Sequence, residues 1–197
     1  MPVRGARSLA VFMGAMTVLW SVLGLRAAPV AGAVLAAAGA AVIVAAVVLA
    51  RGRAAAATTG PDSPGRGRRQ RAGGSSRSVF RIAVAAEIVA AVIAVVVLNR
   101  AGHPQYIAPA IALVVALHFF VFLLDGPQPV HLATGIVGTV GAVTAICLMA
   151  AGAVTPGVGH AIAGGALALC TLAYGLGFLR ILADSPRSTT DPGAARD

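Results

Sequence analysis

The sequence predicts an all-α membrane protein: a six-transmembrane-helix bundle built of three hairpins. Of its 197 residues, 58% are hydrophobic and 11% are charged, whereas soluble globular domains average about 25% charged residues. The mean hydropathy of +0.90 points the same way, because lipid must solvate apolar surface that a core of this size could not bury. The third observation is a set of six continuous apolar runs, each close to the ~20 residues that a helix needs to cross ~30 Å of hydrocarbon.

Each apolar run is bounded by charged residues or by Pro and Gly clusters. The six predicted spans cover approximately residues 8–25, 28–50, 80–98, 107–124, 130–151 and 160–182. Helices are favoured over membrane strands because a strand would alternate apolar and polar residues over about 10 positions, and these runs do not. Pro29 stands where a signal peptidase would have to cleave, so we expect the first run to remain as a span.

The arginines predict the orientation of the chain. Residues 51–81 contain eight Arg and a single acid, Asp62, and the positive-inside rule places such a loop in the cytoplasm. Two spans precede this loop and four follow it, so both termini, including a tail at 183–197, are predicted to be cytoplasmic. Residues 51–79 are rich in Gly, Ala, Ser and Pro, and this composition predicts a disordered loop.

The loop arginines also suggest a partner. Arg66, Arg68, Arg69 and Arg71 are candidates for contact with anionic lipid headgroups, at about 1 kcal/mol per Arg close to the surface. The alternative is that they only fix the topology. No nucleic-acid partner is expected, because no aromatic residues are interleaved with the arginines for base stacking. The lipid bilayer is thus the expected partner.

Small residues recur at spacings of three and four in several spans. Examples are Gly32, Ala36 and Gly39 in the second span and Gly164 and Ala168 in the sixth. Such spacing places small side chains on one helix face, where two backbones can approach closely. The pattern predicts close helix packing, and it leaves open whether the contacts are within one chain or between the chains of a homo-oligomer.

Motifs for catalysis and metal binding are missing from the sequence. Lys is absent, which excludes Schiff-base chemistry and the lysine of a Walker phosphate loop. The sequence has no His pair flanking a Glu and no Gly-x-Ser-x-Gly element. His103, His131 and His160 lie at span ends or turns, where we expect interfacial residues. We therefore expect no enzyme activity, no metal site and no cofactor.

Two ionisable residues lie inside predicted spans: Glu87 in the third and His118 in the fourth. Inserting a charged group into the membrane costs free energy, so such residues usually face the bundle interior and often mark a functional site. In an antiparallel hairpin, residues of equal depth have position numbers with a constant sum, and this sum is the same for Glu87 with His118 as for Asn99 with Tyr106. The first pair is a candidate proton-binding site, and Asn99 and Tyr106 are expected to support the hairpin.

The same region carries a resemblance to known proteins. The segment from Glu87 to Asn99, Pro109 and the element Ala116-Leu117-His118-Phe119 resemble uncharacterised small multi-pass bacterial integral membrane proteins, a domain of unknown function with an intramembrane Glu and a Leu-His-Phe element. The resemblance covers about a fifth of the chain, and Ala116 stands where that group has Gly. It implies a location in the bacterial cytoplasmic (inner) membrane and no named activity.

Two functions follow from the candidate pair. The first is a structural or accessory membrane protein in which Glu87 and His118 are packed without water. The alternative is a small proton-coupled secondary transporter, which would need the same residues beside a polar cavity open to one side. Burial favours the neutral forms of both side chains and their mutual attraction favours the ion pair, so both protonation states remain open.

The predicted orientation can be tested by cysteine labelling. In a variant with both native cysteines replaced by Ala, Arg68→Cys should resist a membrane-impermeant maleimide in intact cells, because the loop faces the cytoplasm. Ala101→Cys, in the turn between the third and fourth spans, should be labelled and serves as the control. Labelling of Arg68→Cys in intact cells would contradict the orientation.

Overall fold

A computed structural model describes residues 3–25, 27–58, 74–124 and 129–184, and nearly all of them are helical. The six long helices are α1 (Val3–Gly24), α2 (Pro29–Thr58), α3 (Gly74–Arg100), α4 (Ile107–Val121), α5 (Pro129–Ala150) and α6 (Pro156–Asp184). Two short 3-10 turns, Pro104–Tyr106 and Phe122–Leu124, flank α4. Every one of the six helices contains a segment long and apolar enough to cross a membrane. This confirms the predicted all-α class and the number of candidate spans in the described residues.

The predicted loop at 51–79 is too long at both ends, because α2 continues to Thr58 and α3 already begins at Gly74. A helix does not have to stop where its apolar segment stops, and residues 54–57 are all Ala, the strongest helix former. The four arginines proposed for lipid contact, Arg66, Arg68, Arg69 and Arg71, lie outside the described residues. So does the predicted tail, apart from Ala183 and Asp184, which belong to α6.

Prolines mark where three of the helices begin. Pro29, Pro129 and Pro156 are the first residues of α2, α5 and α6. Proline is favoured at this position because its missing N–H has no partner inside the helix in any case. At α6, the Thr155 hydroxyl accepts a hydrogen bond from Val158 N at 3.5 Å and caps the helix. This cap explains why α6 starts four residues before the predicted span at His160.

Glycines in the left-handed conformation end α3 and α5. Gly102 has φ of 75° and Gly152 has φ of 67°. In each turn the next residue donates its backbone N–H to a carbonyl five residues earlier, His103 to Leu98 and Ala153 to Leu148, both at 2.9 Å. This is the Schellman arrangement, which satisfies carbonyl groups that a helix end leaves unpaired. Both helices therefore end without leaving these carbonyls unpaired.

The centre of the bundle is α6, which packs against α1, α2, α4 and α5. Helix α1 also packs along α2, and α4 along α5. Small side chains fill the main core, together with two larger ones; its buried members are Trp20, Ala112, Ala116, Ala142, Ala145, Ala163, Leu167 and Ala168. Helix α3 is peripheral, because it packs mainly on α4 and Ala83 is the only buried side chain among its residues 82–100.

Glycines bring the helix backbones together within this one chain. A Cβ atom added to Gly39 of α2 would lie 2.8 Å from the Gly14 carbonyl oxygen and 2.9 Å from the Thr17 Cβ of α1. On Gly138 of α5, an added Cβ would lie 2.8 Å from the Ala116 Cβ of α4. The glycine at the α4–α5 contact is therefore Gly138 of α5, and Ala116 of α4, which stands where the resembling proteins have Gly, packs closely against it. The same close packing does not extend to Gly177, which faces open space.

The contact at Gly39 predicts a loss of stability on substitution. Gly39→Ala should lower the free energy of unfolding by about 1–3 kcal/mol, because α1 and α2 would have to separate to admit the methyl group. The matched control is Gly177→Ala, which meets no neighbour within 4 Å and should be neutral or stabilising by up to about 1 kcal/mol. Thermal unfolding in lipid nanodiscs measures both. Equal effects of the two substitutions would contradict the close contact.

Candidate functional site

Glu87 of α3 and His118 of α4 are in direct contact. His118 Nδ1 lies 3.0 Å from Glu87 Oε2, with 8% of the His118 side chain exposed and 26% of the Glu87 side chain exposed. The depth argument placed the two residues level in the membrane but could not determine the rotation of either helix. The structure shows that both side chains point to the α3–α4 interface.

Aromatic neighbours hold the His118 ring in place. Phe122 meets it edge to face with ring centroids 4.6 Å apart, and Phe119 meets it in the same way at 6.2 Å. His118 and Phe119 lie in the last turn of α4, and Phe122 begins the 3-10 turn that follows it. The two phenyl rings thus orient Nδ1 towards α3. The negative face of a phenyl ring favours an imidazolium and its positive edge favours a neutral imidazole, so a phenyl neighbour is compatible with both charge states.

The pair can hold a proton in two ways. In one state an imidazolium N–H at Nδ1 donates to the Glu87 carboxylate, and in the other the protonated carboxyl group donates to neutral Nδ1. Both states satisfy the hydrogen bond that the 3.0 Å distance indicates. Gain or loss of a proton by the pair would change its net charge by one, at a site within a membrane span. The chemistry that this arrangement supports is therefore proton binding.

The two residues expected to support the hairpin have separate roles in its turn. Asn99 donates its side-chain amide to the Val95 carbonyl of its own helix at 2.9 Å. The Tyr106 ring packs edge-on against His103, with centroids 6.1 Å apart. A longer-range link at this turn comes from α6, where His160 Nε2 lies 2.8 Å from the Gln105 carbonyl oxygen. Since a carbonyl only accepts, His160 carries its proton on Nε2 in this bond.

A second polar pair was missed by sequence reasoning. His131 of α5 is hydrogen-bonded through Nδ1 to the Tyr174 hydroxyl of α6, and Tyr174 is buried. We had expected His131 to be an isolated interfacial residue. Its partner could have been found from Pro156: with α5 ending at Ala150 and α6 beginning at this proline, His131 is level with Gly175, the neighbour of Tyr174. Because the predicted sixth span begins at residue 160, it aligns His131 with a residue about five positions further along α6.

Aromatic rings connect the two polar pairs. Phe122, which contacts His118, also lies 5.5 Å from the His131 ring. Phe119 stacks on Tyr174 at 5.3 Å, with an angle of 30° between the ring planes. The site therefore extends over four helices, from Glu87 on α3 to Tyr174 on α6.

Other potential ligands are scattered. Among the described residues, no group of three or more His, Cys, Asp or Glu side chains is close enough to hold a metal ion. Both cysteines are free thiols; Cys170 is buried, and its Sγ lies 3.7 Å from the Thr134 carbonyl oxygen, whereas Cys147 is exposed on the bundle surface. A scan against protein-family models finds no matching family, and searches of curated proteins and of solved structures find no match either.

Proposed function

We propose that this chain is a non-enzymatic multi-pass membrane protein with a structural or accessory role, in which the Glu87–His118 contact fastens the peripheral helix α3 to the bundle. The observation that carries the proposal is the 3.0 Å contact itself, on a helix with one buried side chain between residues 82 and 100. A helix with so little buried surface gains little from packing, so a polar contact accounts for a large part of its attachment.

The membrane environment increases the free energy that this contact contributes to helix association. A charged carboxylate at the centre of a span costs about 2.5–3.5 kcal/mol on insertion scales, and a partner that neutralises or hydrogen-bonds it offsets this cost. If α3 separated from α4, Glu87 and His118 would each be left facing hydrocarbon. Separation of the two helices is thus penalised by both groups at once.

The proposed arrangement in the membrane is three hairpins with both termini and the loop between α2 and α3 in the cytoplasm. The distribution of arginines supports it, since residues 51–81 contain eight of them. We place the protein in a bacterial inner membrane, as the resemblance of the Glu87 and Leu-His-Phe elements implies. Anionic lipid headgroups are the proposed partners of the loop arginines, and a homo-oligomer is compatible with this arrangement.

A second candidate function is proton-coupled transport through the same pair. One observation favours it: a second pair with a titratable imidazole, His131–Tyr174, adjoins the first through Phe122. A purely structural clamp between α3 and α4 would not need this extension across α5 and α6. The two candidates differ in the expected effect of replacing the Glu87 carboxyl group by an amide. The structural clamp, meaning the Glu87–His118 contact that holds α3 on α4, needs only a hydrogen bond, whereas a transporter needs a group that takes up and releases a proton.

The clamp is tested by two substitutions at one position. Glu87→Ala should lower the free energy of unfolding by about 1–3 kcal/mol, because it leaves the His118 nitrogen buried and unpaired. Glu87→Gln should have a much smaller effect, since its amide can still hydrogen-bond Nδ1. Thermal unfolding in nanodiscs measures both, and a double-mutant cycle with His118→Ala isolates the pair. Equal unfolding free energies for Glu87→Gln and Glu87→Ala would contradict the clamp.

Transport is tested in vesicles with a trapped pH-sensitive dye. If the protein couples to protons, an imposed pH gradient should drive dye-reported proton movement that Glu87→Gln abolishes while the folded protein stays abundant. Asn99→Gln, an exposed change at the end of the same helix, is the control and should leave the flux unchanged. Equal flux in vesicles with the unmodified protein, with Glu87→Gln and without protein would exclude the transport candidate and leave the clamp standing.

A further inference from the structure

The His131–Tyr174 pair joins the interior of the bundle to its α4–α5 end, the end at which α4 stops and α5 begins. His131 is two residues past Pro129, the first residue of α5, and it is partly exposed. Tyr174 is buried within α6, and its hydroxyl is bonded to His131 Nδ1. The other ring nitrogen, Nε2, takes no part in that bond. His131 therefore has one nitrogen fixed towards the interior and one available for a proton.

One phenyl ring contacts both this imidazole and that of the first pair. Phe122 contacts His118 at 4.6 Å and His131 at 5.5 Å between ring centroids. It lies in the 3-10 turn Phe122–Leu124 and not in α4 itself. A 3-10 segment has weaker hydrogen-bond geometry than an α-helix, so the Phe122 side chain sits on one of the less rigid parts of the site.

The opposite direction offers no comparable path. Between His118 and Tyr106, α4 carries only apolar side chains, and Ala112 and Ala116 are fully buried. Between Glu87 and Asn99, α3 is also entirely apolar. A proton leaving the pair in that direction would cross about 16 Å, eleven residues of helix, without a titratable side chain on either helix.

We propose that His131 is the residue through which protons reach and leave the Glu87–His118 pair, from the α4–α5 end of the bundle, with the Phe122 ring as the barrier between them. The inference deepens the second candidate function, because it rests on the pair exchanging a proton. It does not require transport across the membrane, since uptake and release at one end suffice.

The proposed steps conserve every proton. Neutral His131 carries its proton on Nδ1 and donates it to the Tyr174 oxygen; it accepts a second proton from water at Nε2 and becomes an imidazolium that keeps this bond. When the Phe122 ring turns aside, a water molecule enters, takes the proton from Nε2 and passes one to the Glu87–His118 pair, so that neutral His131 is restored. Release is the reverse. Among the described residues, the titratable groups near His131 are Tyr174 and Cys170 on α6, His118 on α4 and, behind it, Glu87 on α3.

The test follows proton exchange of the pair by time-resolved infrared difference spectroscopy after a pH jump on the full chain in nanodiscs. The signal of the pair is the part of the spectrum that Glu87→Gln removes. His131→Gln should slow its appearance by about 100-fold, the lower end of what a positioned proton-transfer side chain contributes. His160→Gln, a histidine bonded at the other end of α4, is the control and should leave the rate unchanged.

Phe122→Ala gives an effect of opposite sign. Removing the ring should speed exchange, and this speeding should persist in a sample whose thermal unfolding shows a folded bundle. Loss of structure would speed exchange in both variants, so slowing by His131→Gln cannot arise from unfolding. Equal rates in the unmodified protein and in His131→Gln would overturn the proposal. So would the absence of any exchange signal from the pair between about pH 4 and pH 9, a result that leaves the structural clamp untouched.

Discussion

Close approach of helix backbones at glycine and alanine is the constraint on which the rest of this bundle depends. Lipid tails are as apolar as the side chains of these helices, so burying apolar surface between helices yields no net hydrophobic gain, and van der Waals contact has to supply the association. At Gly14, Gly39 and Gly138 the helices are so close that a methyl group would not fit. Between residues 82 and 100, α3 has no glycine and one buried side chain, Ala83, so the polar pair contributes a larger share of its attachment than such a pair would elsewhere in the bundle.

Buried hydroxyl groups show the contrast. The hydroxyl oxygens of Thr17 of α1 and Thr171 of α6 lie 3.0 Å apart, and each also lies 2.9 Å from a carbonyl oxygen of its own helix. Since each hydroxyl has one proton, one threonine donates to the other, which in turn donates to its own carbonyl. Interhelical hydrogen bonds of this kind average about 0.6 kcal/mol in membranes, a small addition to an interface that is already closely packed. The Glu87–His118 contact instead joins two ionisable groups at an interface with few buried side chains. Its neighbours are aromatic rings, which continue to the His131–Tyr174 pair, and this continuity distinguishes it from the other polar contacts of the bundle.

Much of this architecture could be predicted because the bilayer imposes simple rules on the sequence. Run length and hydropathy were enough for six helices, and the depth rule was enough to bring Glu87 and His118 level because the turn between α3 and α4 was placed within a few residues. Applied to His131, the same rule would have pointed about five residues too far along α6, because the predicted span begins at His160 and the helix at Pro156. Rotation about the helix axis could not be predicted, since an apolar span has no polar face to set it. The end of α2 was wrong because the alanines at 54–57 continue the helix beyond its apolar segment, whereas the earlier start of α3, at Gly74, has no such explanation in its sequence.

The 3-10 turns at the ends of α4 have a consequence for how the protein responds to its bilayer. With 15 residues, α4 is about 22 Å long, well short of the ~30 Å of hydrocarbon that it has to cross. The turns Pro104–Tyr106 and Phe122–Leu124 each add about 6 Å, because a 3-10 segment rises about 2 Å per residue. Rewinding the second turn as α-helix would shorten the span and rotate Phe122, the ring between the two imidazoles. In a bilayer whose thickness does not match this span, hydrophobic mismatch would act through the turn that carries Phe122 and would change the packing around His118 and His131.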